Sequence, residues 1–272
     1  MSDTTTASRV TVEPLGKLRG AVIRGLDAAN LSAADKDFLR RAFTEHAVLI
    51  LKDQKLDDEQ QKAFAEVFGP ISDEGEYGSQ MYVSNVSAGA LSPHGELAFH
   101  MDHSWSPHPL RAILLHAIEV PPKGVGGETM FADVGKAYAL LPDEVRNRIK
   151  DLQIIHTYPD QTKFVAIPGP DPRPGVPTSK HPMIMKHPVT GEELLFCSPR
   201  HFDRIEGWDH QKGIDLAMEL ATYINQPEII YTHSWSVGDL VVWDNLQFQH
   251  ARTNFDRKYR RHLRRTQVGV PN

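Results

Sequence analysis

The sequence predicts a mainly β fold, a sandwich or barrel of short strands with a few helices on its flanks. Three observations carry that reading. Apolar or alternating runs of strand length recur between turn-forming residues, at 47–51, 110–120, 194–197, 229–234, 239–243 and 261–268. Helical periodicity is confined to a few stretches. No internal repeat or linker divides the chain, and 272 residues suffice for one substantial core but not clearly for two.

Taken in order, residues 1–9 are polar and Ser/Thr-rich, so a disordered tail is expected there and a signal peptide is not. One domain is then expected over 10–272. Residues 10–23 read as short strands punctuated by glycine. Ser32 is a candidate N-cap for a helix over 33–43, where apolar residues fall at helical spacing. The run 47–51 is a strand, and 57–68 is a second helix stopped by Gly69-Pro70. Residues 72–98 are rich in Gly, Ser and Glu without periodicity, which predicts a long loop acting as a lid over a site. A core strand over 110–120 and a helix over 135–150 follow. Residues 158–180 carry many Pro and Gly and read as a surface segment. The strand at 194–197 leads into a loop at 198–202, then a helix over 211–225 and the closing strands.

Composition limits the function. Hydrophobic residues make up 40% and charged residues 24%, ordinary values for a soluble globular chain. A net charge of −5 argues against a nucleic-acid binder, and no apolar run approaches membrane-spanning length. Cys197 is the sole cysteine, so no intramolecular disulfide can form, which suits a reducing cytoplasm.

The chemistry lies in His100-Met101-Asp102 and in His250, reached through Trp243-Asp244-Asn245-Leu246-Gln247-Phe248-Gln249. On a strand, residues i and i+2 share a face, so His100 and Asp102 can reach one ion while Met101 points away. Two imidazoles and one carboxylate leave the opposite face of a metal open, the arrangement of non-haem Fe(II) oxygenases. By itself an H-x-D pair says little in a chain with 14 histidines. Its surroundings add weight: Gly126-Gly127-Glu128-Thr129 follows it, and Arg260-Arg261-His262-Leu263-Arg264-Arg265 follows His250. Arg261, Leu263 and Arg265 share one strand face, which a merely basic patch does not require.

On these motifs the chain resembles the taurine dioxygenase and phenoxyacetate-herbicide dioxygenase family of Fe(II)- and 2-oxoglutarate-dependent oxygenases. The likeness runs nearly end to end, from Val12-Glu13-Pro14-Leu15-Gly16 through Phe68-Gly69-Pro70, the H-x-D, Leu195-Phe196 and Arg204-Ile205-Glu206-Gly207-Trp208 to the arginine tail. It implies a double-stranded β-helix (jelly roll, cupin-like) and a dioxygenase that releases succinate and CO2 while hydroxylating or oxidatively cleaving a small, acid-bearing molecule. Further implications are His100, Asp102 and His250 on Fe(II), and 2-oxoglutarate held by Thr129 and Arg261, eleven residues after His250. Arg265, four residues further, falls near the co-substrate or the substrate anion. An arginine suits such a carboxylate because its planar fork pairs bidentately and stays charged when buried. Asp102 favours oxidation over halogenation, because halogenating relatives replace that carboxylate with a small residue.

Arg200, His201, His103 and Glu74 are candidate substrate contacts. An exposed loop pair is the other reading of Arg200 and His201. The acidic stretch around Glu74 stands where the taurine enzyme carries a sulfonate-binding histidine, so taurine itself fits poorly. The partners expected are a small molecule and O2, with neither nucleic acid nor membrane, and homodimers or homotetramers are common in the family. Two alternatives stay open: a zinc-dependent hydrolase on the same triad, since zinc accepts those ligands too, and a catalytically silent cupin-like binding protein.

Overall fold

The structure is a computed structural model that describes residues 10–270 except 17, 73–79, 88–89, 92–94 and 159–174. The expected tail, Glu74 and most of the Pro/Gly-rich segment therefore lie outside the described residues. Strands β1 (Thr11–Pro14), β2 (Ala21–Arg24) and β3 (Val48–Leu51) open the chain, with α1 (Ala33–His46) before β3. There follow α2 (Asp58–Ala65), β4 (Gln80–Ser84), β5 (Leu97–His100), β6 (Ala112–Glu119) and β7 (Thr129–Asp133). The middle holds α3 (Val134–Leu140), α4 (Asp143–Ile149), β8 (Gln153–Thr157), β9 (Thr178–Pro182), β10 (Ile184–Lys186) and β11 (Glu193–Leu195). The last third is β12 (Phe202–Ile205), α5 (His210–Ile224), β13 (Ile230–His233), β14 (Leu240–Asp244), β15 (Phe248–Arg252) and β16 (His262–Val268).

Seven strands form one sheet in the order β1-β2-β3-β14-β6-β16-β4, and four form another in the order β13-β7-β15-β5. The two sheets close on each other as the double-stranded β-helix expected. Val48, Ile113, Val241, Trp243 and Leu263 from the larger sheet meet Phe131 and Phe248 from the smaller in one cluster. The alternate residues Leu49, Leu51, Leu114 and Val242 pack outward with Leu39 and Phe43 of α1 and Phe64 of α2. Both faces of β3, β6 and β14 are thus buried, which explains why their sequences are almost continuously apolar. A third cluster, with Leu216 and Leu220 of α5, covers the outer face of the smaller sheet.

The helix starts follow local chemistry. Ser32 and Asp35 form a reciprocal capping box on α1, and Asp57 and Gln60 form one on α2. Four expectations need correction. The helix expected over 135–150 is two, because Leu141 is extended ahead of Pro142, as a residue before proline prefers. The helix expected over 57–68 ends at Ala65, three residues short of Phe68. The 72–98 segment is not all loop: β4 lies within it and pairs with β16 from Ser84↔His262 to Gln80↔Thr266. As an edge strand with polar residues at alternate positions, β4 leaves little apolar signal. Likewise the end of the 158–180 segment belongs to β9, which pairs with β8. No helix among the described residues is long and apolar enough to cross a membrane.

Candidate active site

β5 and β15 are antiparallel neighbours with His100 directly opposite His250, and their ring centroids lie 4.2 Å apart. Asp102 sits in a turn two residues past the end of β5, not on the strand. The side-chain separation expected of a strand is still met. Met101 is buried in the cluster beneath α5, while ligating atoms of His100, Asp102 and His250 all lie within 4.8 Å of one another. Asn245 fixes the turn. Its side-chain carbonyl accepts from the Asp102 N–H at 3.1 Å, and its amide donates to the carbonyls of Asp102 at 2.9 Å and Leu110 at 3.2 Å.

The protonation pattern suits a divalent metal. His100 Nδ1 lies 2.7 Å from the Ala98 carbonyl, which can only accept, so that nitrogen carries the proton and Nε2 keeps its lone pair. That Nε2 is 3.3 Å from one Asp102 oxygen. Burial, followed by the charge of His100, pushes His250 down to about 3, so its ring is neutral at physiological pH. Burial opposes ionisation of Asp102, but Arg265, His250 and His100 together hold its carboxyl well below the usual range. The Nε2 of His100, the neutral ring of His250 and an ionised carboxylate form a donor set that first-row divalent metals accept.

The arginine tail divides as expected, despite a register shift between His262 and Leu263. Arg261 and Arg265 line the cavity above the triad, Leu263 joins the inter-sheet core, and Arg264 turns outward to Asp58 and Gln61. Arg265 donates to Asp102 at 2.8 Å. Arg261 is 2% exposed and its Nε donates to the Gly127 carbonyl at 3.1 Å. Its Nη1 is buried without a hydrogen-bond partner among the described residues, and burial pushes its pKa down to about 9. Thr129, on β7, lines the same cavity. Its hydroxyl oxygen accepts from Trp235 Nε1 at 3.0 Å, which leaves the hydroxyl proton available to donate.

Arg200 and His201 occupy a single 3-10 turn, Pro199–His201, and are buried in the cavity wall, so the exposed-pair reading fails. His201 Nδ1 is bonded to Ser104 at 2.9 Å and Ser198 at 3.2 Å. Its ring stands edge-on to Trp105 at 4.7 Å, and burial holds it well below the usual histidine range. His103, with φ +58°, also lines the cavity. Arg252 was not anticipated. It sits two residues after His250 on β15, lines the cavity, and donates to the Gly95 carbonyl through Nε at 3.0 Å and Nη2 at 2.7 Å. The i, i+2 relation that linked His100 to Asp102 applies to His250 and Arg252 as well, so alternation on β15 was the signal available.

The model of the taurine catabolism dioxygenase TauD, TfdA family matches residues 11–267. The chain is 32% identical over 270 residues to the (S)-phenoxypropionate/alpha-ketoglutarate-dioxygenase of Sphingobium herbicidovorans, covering 92% of this chain and 91% of the relative. It is 33% identical over 260 residues to the alpha-ketoglutarate-dependent 2,4-dichlorophenoxyacetate dioxygenase of a Burkholderia species, covering 86% of each. Among solved structures, AAD-2 in complex with Mn(II) and N-oxalylglycine matches with a TM-score of 0.81 and 29% identity, over 97% of this chain and 98% of that one.

Proposed function

Because the chain belongs to the taurine catabolism dioxygenase TauD, TfdA family, we propose that it oxidises a small, acid-bearing molecule in the cavity above His100, Asp102 and His250. It is a 2-oxoglutarate-dependent non-haem iron dioxygenase, an oxidoreductase. When bound, Fe(II) and 2-oxoglutarate supply the oxidation of a substrate C–H bond by O2, with release of succinate and CO2.

The chain's own residues have distinct tasks. His100, Asp102 and His250 hold the iron from one side. Arg261 and Thr129 take the far carboxylate of 2-oxoglutarate, the guanidinium through its unpartnered Nη1 and the threonine through its free hydroxyl proton. Arg265 keeps Asp102 ionised by its 2.8 Å contact. Arg200 and His201 receive the acid group of the substrate, with His103 beside them. Trp105, Leu115 and Trp243 line the remaining wall and exclude water.

The buried, unpartnered Nη1 of Arg261 carries this reading. Glu128 acts on this guanidinium only through its charge; a buried Nη1 with no hydrogen-bonded counter-charge is costly, and a dicarboxylate co-substrate supplies one. A zinc hydrolase on the same triad has no use for that group, and neither does a silent binding protein. The substrate is best sought among apolar carboxylic acids, because both relatives are dioxygenases of phenoxy acids and this cavity pairs arginines with aromatic and aliphatic walls. We place the enzyme in the cytoplasm, in keeping with a single, buried, free Cys197.

Succinate formed from 2-oxoglutarate by the Fe(II)-loaded protein, across a panel of phenoxy acids, fatty acids, sulfate esters, sulfonates and amino acids, tests the proposal. Stimulation by carboxylic acids supports it. Stimulation by sulfonates alone overturns the substrate assignment.

A further inference from the structure

Where Thr129 and Arg261 line the site cavity, both present donors. A guanidinium has no acceptor to offer. Thr129 has its oxygen engaged by Trp235 Nε1 at 3.0 Å. An indole N–H donates and never accepts, so the direction of that bond is fixed and the threonine proton is left for the cavity. A threonine without such a neighbour is a rotor with three staggered positions, able to donate from one and accept in another.

The fold holds Trp235 in place for this contact. It lies in the connection between β13 and β14, 5% exposed, in the inter-sheet cluster with Phe131, Val241 and Trp243. The ring of His233 stands edge-on to the indole, with centroids 4.6 Å apart and planes at 90°. His233 Nε2 is 3.0 Å from Asp239 Oδ2, the same oxygen that accepts from Lys52 Nζ at 2.8 Å and from the Ser236 N–H at 3.0 Å. Gly238 fastens the far side of the turn: its N–H donates to the Ala117 carbonyl at 2.9 Å, and its carbonyl accepts from the Gln54 N–H at 2.7 Å. Register completes the arrangement, because His233 on β13 pairs with Thr129 on β7. A buried indole N–H needs an acceptor. The one it takes here is the hydroxyl of a residue that faces the metal cavity.

We propose that Trp235 is a positioning residue that sets co-substrate specificity. By holding the Thr129 hydroxyl as a donor, it makes the cavity take a 2-oxo acid that ends in a carboxylate and reject one that ends in an amide. A carboxylate only accepts, whereas a primary amide must also donate. Its NH2 group would meet the fixed threonine proton and be left unmatched, which is unfavourable in a buried site. The proposal rests on Thr129 and Arg261 as the residues that take the far carboxylate of 2-oxoglutarate.

The test is isothermal titration of the Mn(II)-loaded protein with 2-oxoglutarate, with its amide 2-oxoglutaramate, and with 2-oxovalerate, which ends in a methyl group. In Trp235→Phe, 2-oxoglutarate is expected to bind about three- to tenfold more weakly, the effect of freeing a three-position rotor and losing one oriented hydrogen bond. Binding of 2-oxovalerate should not change, and the preference for acid over amide should shrink by at least the same factor. Beside Thr129→Val, the added Trp235→Phe should weaken 2-oxoglutarate no further, since the two residues act through one contact. Benzothienylalanine at position 235 keeps the indole shape with sulfur in place of the N–H. It should match the phenylalanine variant, and it carries the test if that variant does not fold. Unchanged 2-oxoglutarate affinity, equal losses for 2-oxoglutarate and 2-oxovalerate, or a full loss persisting beside Thr129→Val would overturn the role of Trp235. If Thr129→Val alone leaves 2-oxoglutarate binding at the wild-type level, the placing of the far carboxylate falls, and the proposal with it.

Discussion

Replacing Arg261 by methionine removes the guanidinium and keeps an apolar stem in its place. Burial pushes the pKa of this side chain from 12.5 to about 9, equivalent to on the order of 5 kcal/mol against its charged form. The one hydrogen bond lost, from Nε to the Gly127 carbonyl at 3.1 Å, contributes about 1 kcal/mol. The balance favours the variant so long as no co-substrate carboxylate pairs with Arg261, on which Glu128 acts only through its charge. Without co-substrate, Arg261→Met should therefore melt above the wild type, by roughly 2–4 °C for each kcal/mol gained. With co-substrate the order should reverse. Truncating one partner of a buried charge pair costs about 2–5 kcal/mol, which weakens the Kd for 2-oxoglutarate roughly 30-fold to several-thousand-fold. Differential scanning fluorimetry with and without 2-oxoglutarate, together with calorimetric titration, reads both effects. A Kd within about twofold of the wild type would refute the assignment of Arg261.

Further perturbations probe neighbouring parts of the site. Thr129→Val removes the hydroxyl donor and strands the Trp235 N–H, so co-substrate affinity should drop by about 1–3 kcal/mol, read in the same titration. Asn245→Ala frees the turn carrying Asp102, whose N–H and carbonyl it holds. Fe(II) affinity, followed by competition with a chelator, should fall about 10- to 100-fold, as for other residues that orient a ligand. Acid should destabilise the fold. Burial pushes His156 down to about 3 and His187 down to about 4, so between those values and an unfolded pKa near 6.5 the unfolded chain binds more protons. Stability should then be full above about pH 6.5 and fall with pH through that window, measurable as the denaturant midpoint against pH.

Much of this was legible in the sequence, for physical reasons that can be traced. β3, β6 and β14 are buried on both faces and read as continuous apolar runs, while Ser32 and Asp57 announce their helices through capping chemistry. His100, Asp102 and His250 stood out because ligand chemistry restricts residue type and the motifs around them keep a fixed order. What stayed hidden lay where side chains serve the cavity instead of a core. β15 reads Phe-Gln-His-Ala-Arg, and its polar residues conceal a buried strand while Arg252 joins His250 in the cavity wall. Asn245 was visible in the Trp-Asp-Asn run, but its clamp on Asp102 depends on a contact across 143 residues. The burial of Arg200 and His201 follows from packing against β5 and Ser104, which local sequence does not encode.

Simultaneous measurement of O2 consumed, 2-oxoglutarate lost and succinate formed by the Fe(II)-loaded protein tests the central claim most directly. The account predicts equimolar changes, stimulated by an acid-bearing substrate and abolished in Asp102→Ala, which loses the carboxylate of the metal site. No succinate from protein shown to bind iron, or undiminished turnover in Asp102→Ala, would contradict it.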